Sequence, residues 1–193
     1  MKIFPLIFAA ALLLTGCSSG KYMPAQSFVT SQMKERNFGN AESVKELEQF
    51  LLQNPQKEDV FDAAFIKKND FIKRCLEKHC NSYLALLLDG TNVKLPDIDS
   101  DGANYLHLAI KYEDFAALQL LIPHIRDINS VNSAGQTAFF YATVCPSDYG
   151  TVKLLLESGS DKTIRDIYGN TAAEAYVFYF PNSYDPEIYN LVK

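Results

Sequence analysis

The apolar residues of this chain fall into short blocks separated by polar turns, and from Asp101 onward the blocks recur. Asn104-Tyr105-Leu106-His107-Leu108-Ala109 is followed by Leu120-Leu121-Ile122 and then by Asp127-Ile128-Asn129. Thr137-Ala138-Phe139-Phe140-Tyr141-Ala142 is followed in the same way by Leu154-Leu155-Leu156 and Gly159-Ser160-Asp161. Thr171-Ala172-Ala173-Glu174-Ala175 opens a third unit. Gly102, Gly135 and Gly169 precede these openings at a spacing of about 33 residues, so each unit predicts a glycine turn, a first helix and a leucine-rich second helix. Glycine supplies a positive φ at little steric cost. Asn104, Thr137 and Thr171 then stand where an N-cap side chain accepts from the first helical amides. Ala109 and Ala142 sit one turn into the first helix, where a small side chain lets neighbouring helices approach closely. The leucine runs are too dense for an isolated amphipathic helix. No single unit buries them alone, so the units must stack.

The recurring unit resembles the ankyrin repeat, with its Gly turn, Thr-Pro-Leu-His-x-Ala helix start, Leu-Leu-Leu second helix and Gly-Ala-Asp close. The match is specific in the second and third units and partial in the first, and it covers roughly half the chain. The resemblance implies an all-α ankyrin-repeat solenoid with an N-terminal helical cap. Residues 99–193 would be the repeats and C-terminal cap. In that family the hairpin tips and first helices line a concave face that binds other proteins. Here that face maps to Ser100, Asp101, Lys111, Tyr112, Ser133, Ala134, Val144, Ile167 and Tyr168, with Lys111, Tyr112, Val144 and Tyr168 as the expected partner-binding residues. His107 takes the place of the family histidine, whose ring bridges neighbouring backbone, while His124 after Pro123 is expected to face solvent.

Upstream the pattern changes. Met1 to Gly16 has a positive end at Lys2 and an apolar core from Ile3 to Leu14, too short to span a bilayer, and reads as an export signal. Leu14-Thr15-Gly16-Cys17 resembles the lipobox of bacterial lipoproteins, which implies acylation of Cys17 as the new N-terminus. Ser18 after that cysteine, rather than an aspartate, implies sorting to the outer membrane, periplasmic face. Several acyl chains would anchor the protein firmly. Lys21 to Asn40 is polar and lacks apolar periodicity, so residues 17–40 read as the lipidated cysteine and a flexible tether. Order is expected over 41–98 as an N-terminal helical cap with a degenerate repeat. Ser43 and Glu46 form a capping-box pattern, Val44, Leu47 and Leu51 make one face, and Asn54-Pro55 stops the helix. Val60 to Ala64 with Asn69 to Ile72 resembles a degenerate first repeat, and Leu84 to Leu88 a further inner helix. Asp185 and Pro186 should start a last short helix as N-cap and first residue.

Charge and chemistry narrow the function. The chain has 18 basic against 23 acidic residues, and loss of Lys2 with the leader makes the mature charge about −6. An acidic chain without a basic cluster does not point to nucleic acid. Besides Cys17 there are Cys75, Cys80 and Cys145. Residues five apart on an unbroken helix lie too far apart to bridge, so a Cys75–Cys80 disulfide needs the helix to end near Lys78. Cys80–Cys145 and an all-reduced state are the alternatives. Cys75, His79 and Cys80 match no familiar zinc spacing, and the redox Cys-x-x-Cys spacing is absent. No phosphate loop, dinucleotide fingerprint or nucleophile elbow occurs, so no enzyme and no cofactor are expected.

Tyr176, Phe178, Tyr179, Phe180, Tyr184 and Tyr189 crowd the last segment, either as an end cap or as an interaction surface. The expected function is therefore protein binding from a membrane anchor. Some bacterial ankyrin lipoproteins with a similar layout are immunity proteins against lipases delivered by type VI secretion, which makes a secreted lipase effector the expected partner. The alternative is an accessory or scaffold for a periplasmic enzyme such as a catalase.

Overall fold

The computed structural model describes residues 25–53, 70–89, 94–95, 103–145, 148–183 and 185–193. The expected signal, Cys17, Gly102, the Val60–Ala64 block and Tyr184 lie outside the described residues. Ten α-helices are described: α1 (Ala25–Gln32), α2 (Ala41–Gln53), α3 (Phe71–Glu77), α4 (Asn81–Leu88), α5 (Tyr105–Lys111), α6 (Phe115–Leu121), α7 (Ala138–Val144), α8 (Tyr149–Glu157), α9 (Ala172–Tyr179) and α10 (Pro186–Val192). A single 3-10 turn, Ile122–His124, extends α6. Among the described residues there is no strand, only the isolated bridges Leu95–Ile125 and Val131–Thr137. The fold is an all-helical solenoid of stacked helix pairs, as the repeat pattern predicts.

The helices start where the sequence places caps. Asn104 accepts from Leu106 and His107, Thr137 from Phe140, Thr171 from Glu174 and Asp185 from Glu187, each through its side chain. Each cap satisfies amides that the first turn leaves open, contributing about 1 kcal/mol. First helices pack on first helices, α3 on α5, α5 on α7 and α7 on α9. Second helices pair as α2 with α4, α4 with α6, and α8 with α10. α4 thus belongs to the second-helix row, not to the inner row expected of Leu84 to Leu88. Tyr105, Leu106, Ala109, Ala138, Phe139, Ala142, Ala172 and Ala175 fill the seam between first helices and are all but solvent-free. Full burial of one leucine- or phenylalanine-sized side chain contributes roughly 1.5–3 kcal/mol.

The two described repeat-turn glycines are as predicted. Gly135 and Gly169 have φ of 74° and 83°. In both hairpins the residue three before the glycine closes the loop through its side chain. Asn132 Oδ1 accepts from Ala134 and Gln136, and Asp166 Oδ1 accepts from Tyr168 and Asn170. The hairpins are also joined, because the Ile167 N–H donates to the Ala134 carbonyl at 3.0 Å.

The N-terminal part departs from expectation. Residues 25–40, read as tether, form α1 and a turn packed on the fold. Phe28 stacks on Phe50 with ring centroids 4.2 Å apart, and Val29, Met33 and Phe38 are buried. The Arg74 guanidinium donates to the Met33 carbonyl and the Tyr83 hydroxyl to Gln32 Oε1, both at 2.6 Å. Helix α2 is capped by Asn40, whose Oδ1 accepts from Glu42 and Ser43, not by the predicted Ser43. Ser43 lies buried inside the helix and its hydroxyl accepts from Gly39 instead.

Candidate functional site

The repeat register carries one side chain from each first helix onto a common row. The N-caps Asp70, Asn104, Thr137 and Thr171 are each followed seven residues later by Glu77, Lys111, Val144 and Phe178. One position further on stand Lys78, Tyr112, Cys145 and Tyr179. Because α3, α5, α7 and α9 pack side by side, these positions sit at equivalent ends of neighbouring helices. The row is charged over α3 and α5 and becomes apolar over α7 and α9.

Exposure follows that gradient in an unusual way. Phe178 is 77 % exposed and Tyr179 56 %, with ring centroids 5.3 Å apart in an edge-to-face pair, and Val177 beside them is also exposed. On the hairpin leading into α9, Ile167 is 63 % and Tyr168 78 % exposed. Large apolar side chains left in water cost free energy that a covering surface would recover.

Of the four residues expected to bind a partner, Lys111 is exposed at the end of α5, Val144 half-buried at the end of α7, and Tyr168 fully presented on its hairpin. Tyr112 is half-buried, and its hydroxyl donates to Glu77 Oε1 at 3.2 Å, tying α5 to α3. In sequence the C-terminal aromatics stand apart from the concave row, as an end cap or an interaction surface of their own. The register unites them: Phe178 and Tyr179 are the α9 counterparts of Lys111 and Tyr112. Counting seven residues from each N-cap was the signal that would have found them.

The remaining polar groups are structural. His107 Nδ1 lies 3.2 Å from the Asn104 N–H, and its Nε2 lies 3.0 Å from the Gln136 carbonyl, so the ring bridges two repeats. His124, expected to face solvent, is half-buried in the 3-10 turn. Asp114 caps α6 at Ala117, accepts from Asn81 Nδ2 at 2.8 Å and lies 3.0 Å from His79 Nδ1. Burial and a hydrogen bond with Cys145 push the Tyr141 phenol up to about 12. Cys75, Cys80 and Cys145 are free thiols, the first two buried next to each other. A cleft of about 870 Å³ opens on the second-helix side, lined in part by Val44, Glu48, Leu86, Lys94, Leu120 and His124. Among the described residues no group of three or more His, Cys, Asp or Glu is placed to hold a metal ion.

This arrangement of capped first helices, leucine-rich second helices and interlocked hairpins is matched by the family model for ankyrin repeats in three copies, over residues 60–166. The chain belongs to the ankyrin repeat family. It is 32 % identical over 91 residues to an ankyrin repeat protein of Acanthamoeba polyphaga mimivirus, and 34 % identical over 83 residues to one of Fowlpox virus. Those stretches are 47 % and 43 % of this chain but only 12 % and 19 % of the relatives, so the ankyrin chain spans a small part of each. Among solved structures it is similar to the ankyrin repeat domain of Bcl-3, with a TM-score of 0.48, 19 % identity, and coverage of 63 % of this chain and 50 % of that one. Ankyrin repeats are protein-interaction scaffolds.

Proposed function

We propose that this ankyrin protein binds another protein through the row that ends in Phe178 and Tyr179, with Tyr168 and Ile167 on the adjoining hairpin. The observation that carries this reading is the exposure of those four side chains on the first-helix and hairpin side of one repeat. Binding energy concentrates in a few aromatic anchors surrounded by polar contacts, and the charged stretch through Glu77, Lys78 and Lys111 supplies such surroundings. The setting of this interaction is a lipid anchor at Cys17, holding the module on the periplasmic face of the outer membrane. The Leu14-Thr15-Gly16-Cys17 sequence after an apolar core supports it. A membrane-held binder suits neutralisation of a toxin that attacks phospholipid, so the partner we favour is a secreted lipase effector encoded beside this chain. A scaffold role for a periplasmic enzyme is the other reading and would use the same row.

The test is a titration of the neighbouring gene product against wild type and the Phe178→Ala/Tyr179→Ala double variant. Truncating anchors of this kind costs about 2 kcal/mol or more, roughly thirtyfold in Kd. Circular dichroism should be unchanged, because both rings are outside the core. Undiminished affinity in the folded double variant would remove this surface from the reading. Cys17→Ala, followed by membrane fractionation and labelled-palmitate incorporation, tests the anchor separately; label still entering the variant would remove the lipobox.

A further inference from the structure

Three helix ends in this fold share one backbone device, and one of them carries sulfur at both of its contact positions. Helix α3 is followed by Lys78 and then by His79 at φ 50°. The Cys80 N–H returns to the Cys75 carbonyl at 2.9 Å, and the His79 N–H to Leu76 at 3.1 Å. After α5, Glu113 takes φ 54°, Asp114 bonds back to Ala109 and Glu113 to Ile110. After α8, Gly159 takes φ 98°, Ser160 bonds back to Leu155 and Gly159 to Leu156. This paired return is the Schellman motif, which folds the third residue beyond the helix back against the third residue from its end and commonly brings their side chains together. Ala109 with Asp114 and Leu155 with Ser160 fill those positions in two repeats. In the α3 repeat they are Cys75 and Cys80.

The motif removes the obstacle that a continuous helix would raise. Five residues of unbroken helix separate two Cα atoms beyond disulfide reach, whereas the returning Cys80–Cys75 hydrogen bond closes that gap. The Cys80 thiol lies 3.5 Å from the Cys75 carbonyl. Interaction with the Cys75 side chain is the main cause that lowers the Cys80 thiol, while burial raises that of Cys75.

We propose that Cys75 and Cys80 are a disulfide site, closing to an intramolecular bridge across the α3–α4 turn, and that the chain around Gly39 covers it once docked. The oxidant is a disulfide, on a thiol oxidoreductase or a small molecule. The Cys80 thiolate attacks one of its sulfurs and expels the first thiolate, leaving a mixed disulfide on Cys80. Cys75 then loses its proton and attacks the Cys80 sulfur, expelling the second thiolate. Two protein thiols have lost two electrons and two protons, and one external disulfide has become two thiols. Gly39, at φ 83°, lies so close over Cys80 that an added Cβ would collide with the sulfur. Phe38 holds that turn down, edge-on to Tyr83 at 4.9 Å and to Phe71 at 6.5 Å. Exchange with an external disulfide therefore precedes docking of this segment or follows its release.

The experiment needs neither membrane nor partner, so it stands apart from the function proposed above. The full chain carrying Cys17→Ala and Cys145→Ser is unfolded, reduced and refolded in oxidised glutathione. The expected product has no free thiol in denaturant and has lost two hydrogens in mass. Trypsin cuts after Arg74, Lys78 and Lys94, so its Cys75–Lys78 and His79–Lys94 peptides should travel joined until reduced. Two free thiols, or a glutathione adduct left on Cys80, would overturn the site. So would a Cys80–Cys145 bridge as the main product when Cys145 is restored. For the cover, the reduced, folded protein should oxidise more slowly than the refolding chain, and Phe38→Ala should speed it several-fold with helicity retained. Equal rates in the two folded proteins would overturn the shielding.

Discussion

Gly135 and Gly169 make the same turn one repeat apart, yet replacing them should not cost the same. Both have positive φ, 74° and 83°, where an alanine side chain meets its own backbone. That conformation costs an L-residue roughly 1–2 kcal/mol. At Gly169 nothing else lies within 4 Å of the position a Cβ would take, so Gly169→Ala should cost that amount and little more. At Gly135 the added carbon would lie 2.8 Å from the Ile167 nitrogen and 3.1 Å from two backbone atoms of Asp166. Backbone cannot rotate away as a side-chain tip can. The next hairpin must shift, straining the hydrogen bond from Ile167 to Ala134, worth about 1 kcal/mol. Gly135→Ala should therefore cost about 2–4 kcal/mol, a large share of a stability usually near 5–15 kcal/mol. Urea unfolding followed by circular dichroism measures both, with the slope checked for constancy so that midpoints convert to free energies. Asparagine separates the two causes, since it tolerates positive φ but still carries a Cβ. Gly169→Asn should be close to neutral and Gly135→Asn still costly. Equal losses at the two glycines, or a Gly135→Asn as mild as Gly169→Asn, would refute contact between hairpins as the reason for the glycine.

Asp114→Ala removes a cap and leaves the half-buried Asn81 amide and the exposed His79 ring without their acceptor. It should cost about 2–3 kcal/mol by urea unfolding. His79→Ala should cost far less, because its ring is 59 % exposed, and a loss at Asp114 under half a kcal/mol would refute the cap. The Thr171 N–H and hydroxyl, and then Arg165, hold the Glu174 carboxyl below its ordinary value of 4.5. A depressed folded value means this group stabilises the last repeat above about pH 4.5 and ceases to as pH falls through the folded value. Glu174→Gln should flatten the acid limb of the melting-temperature profile, and an unchanged limb would refute it.

Repeat boundaries, caps and turn glycines were legible because each rests on a local rule: a Ser, Thr, Asp or Asn at a helix start, or a glycine where φ is positive. Asn104, Thr137, Thr171 and Asp185 need no knowledge of what packs against them. Residues 25–40 fail as a local reading for the opposite reason. Phe28, Val29, Met33 and Phe38 follow no single helical period, since α1 is short and a turn carries Phe38. Their burial is set by Phe50, Phe71 and Tyr83, on helices distant in sequence. The capping error at Ser43 is similar: a Ser-x-x-Glu pattern exists there, but Asn40 lies nearer the helix start and takes the amides first. The aromatic end of the candidate row was visible as composition but not as position. Phe178 looked like part of a crowded tail until α9 was placed beside α7.

The bond between the Ile167 nitrogen and the Ala134 oxygen has a consequence for how such a protein changes over time. It joins neighbouring hairpins through main-chain atoms, which every residue but proline at the donor position supplies. Side chains at Ser133, Ala134, Ile167 and Tyr168 can then be exchanged without unfastening the joint, while Asn132, Asp166 and the paired glycines keep the loop's shape. Inheritance can thus treat the hairpin as two alphabets, one spelling the scaffold and one spelling its choice of partner, and a partner that alters its surface can be followed by substitutions in the second alone.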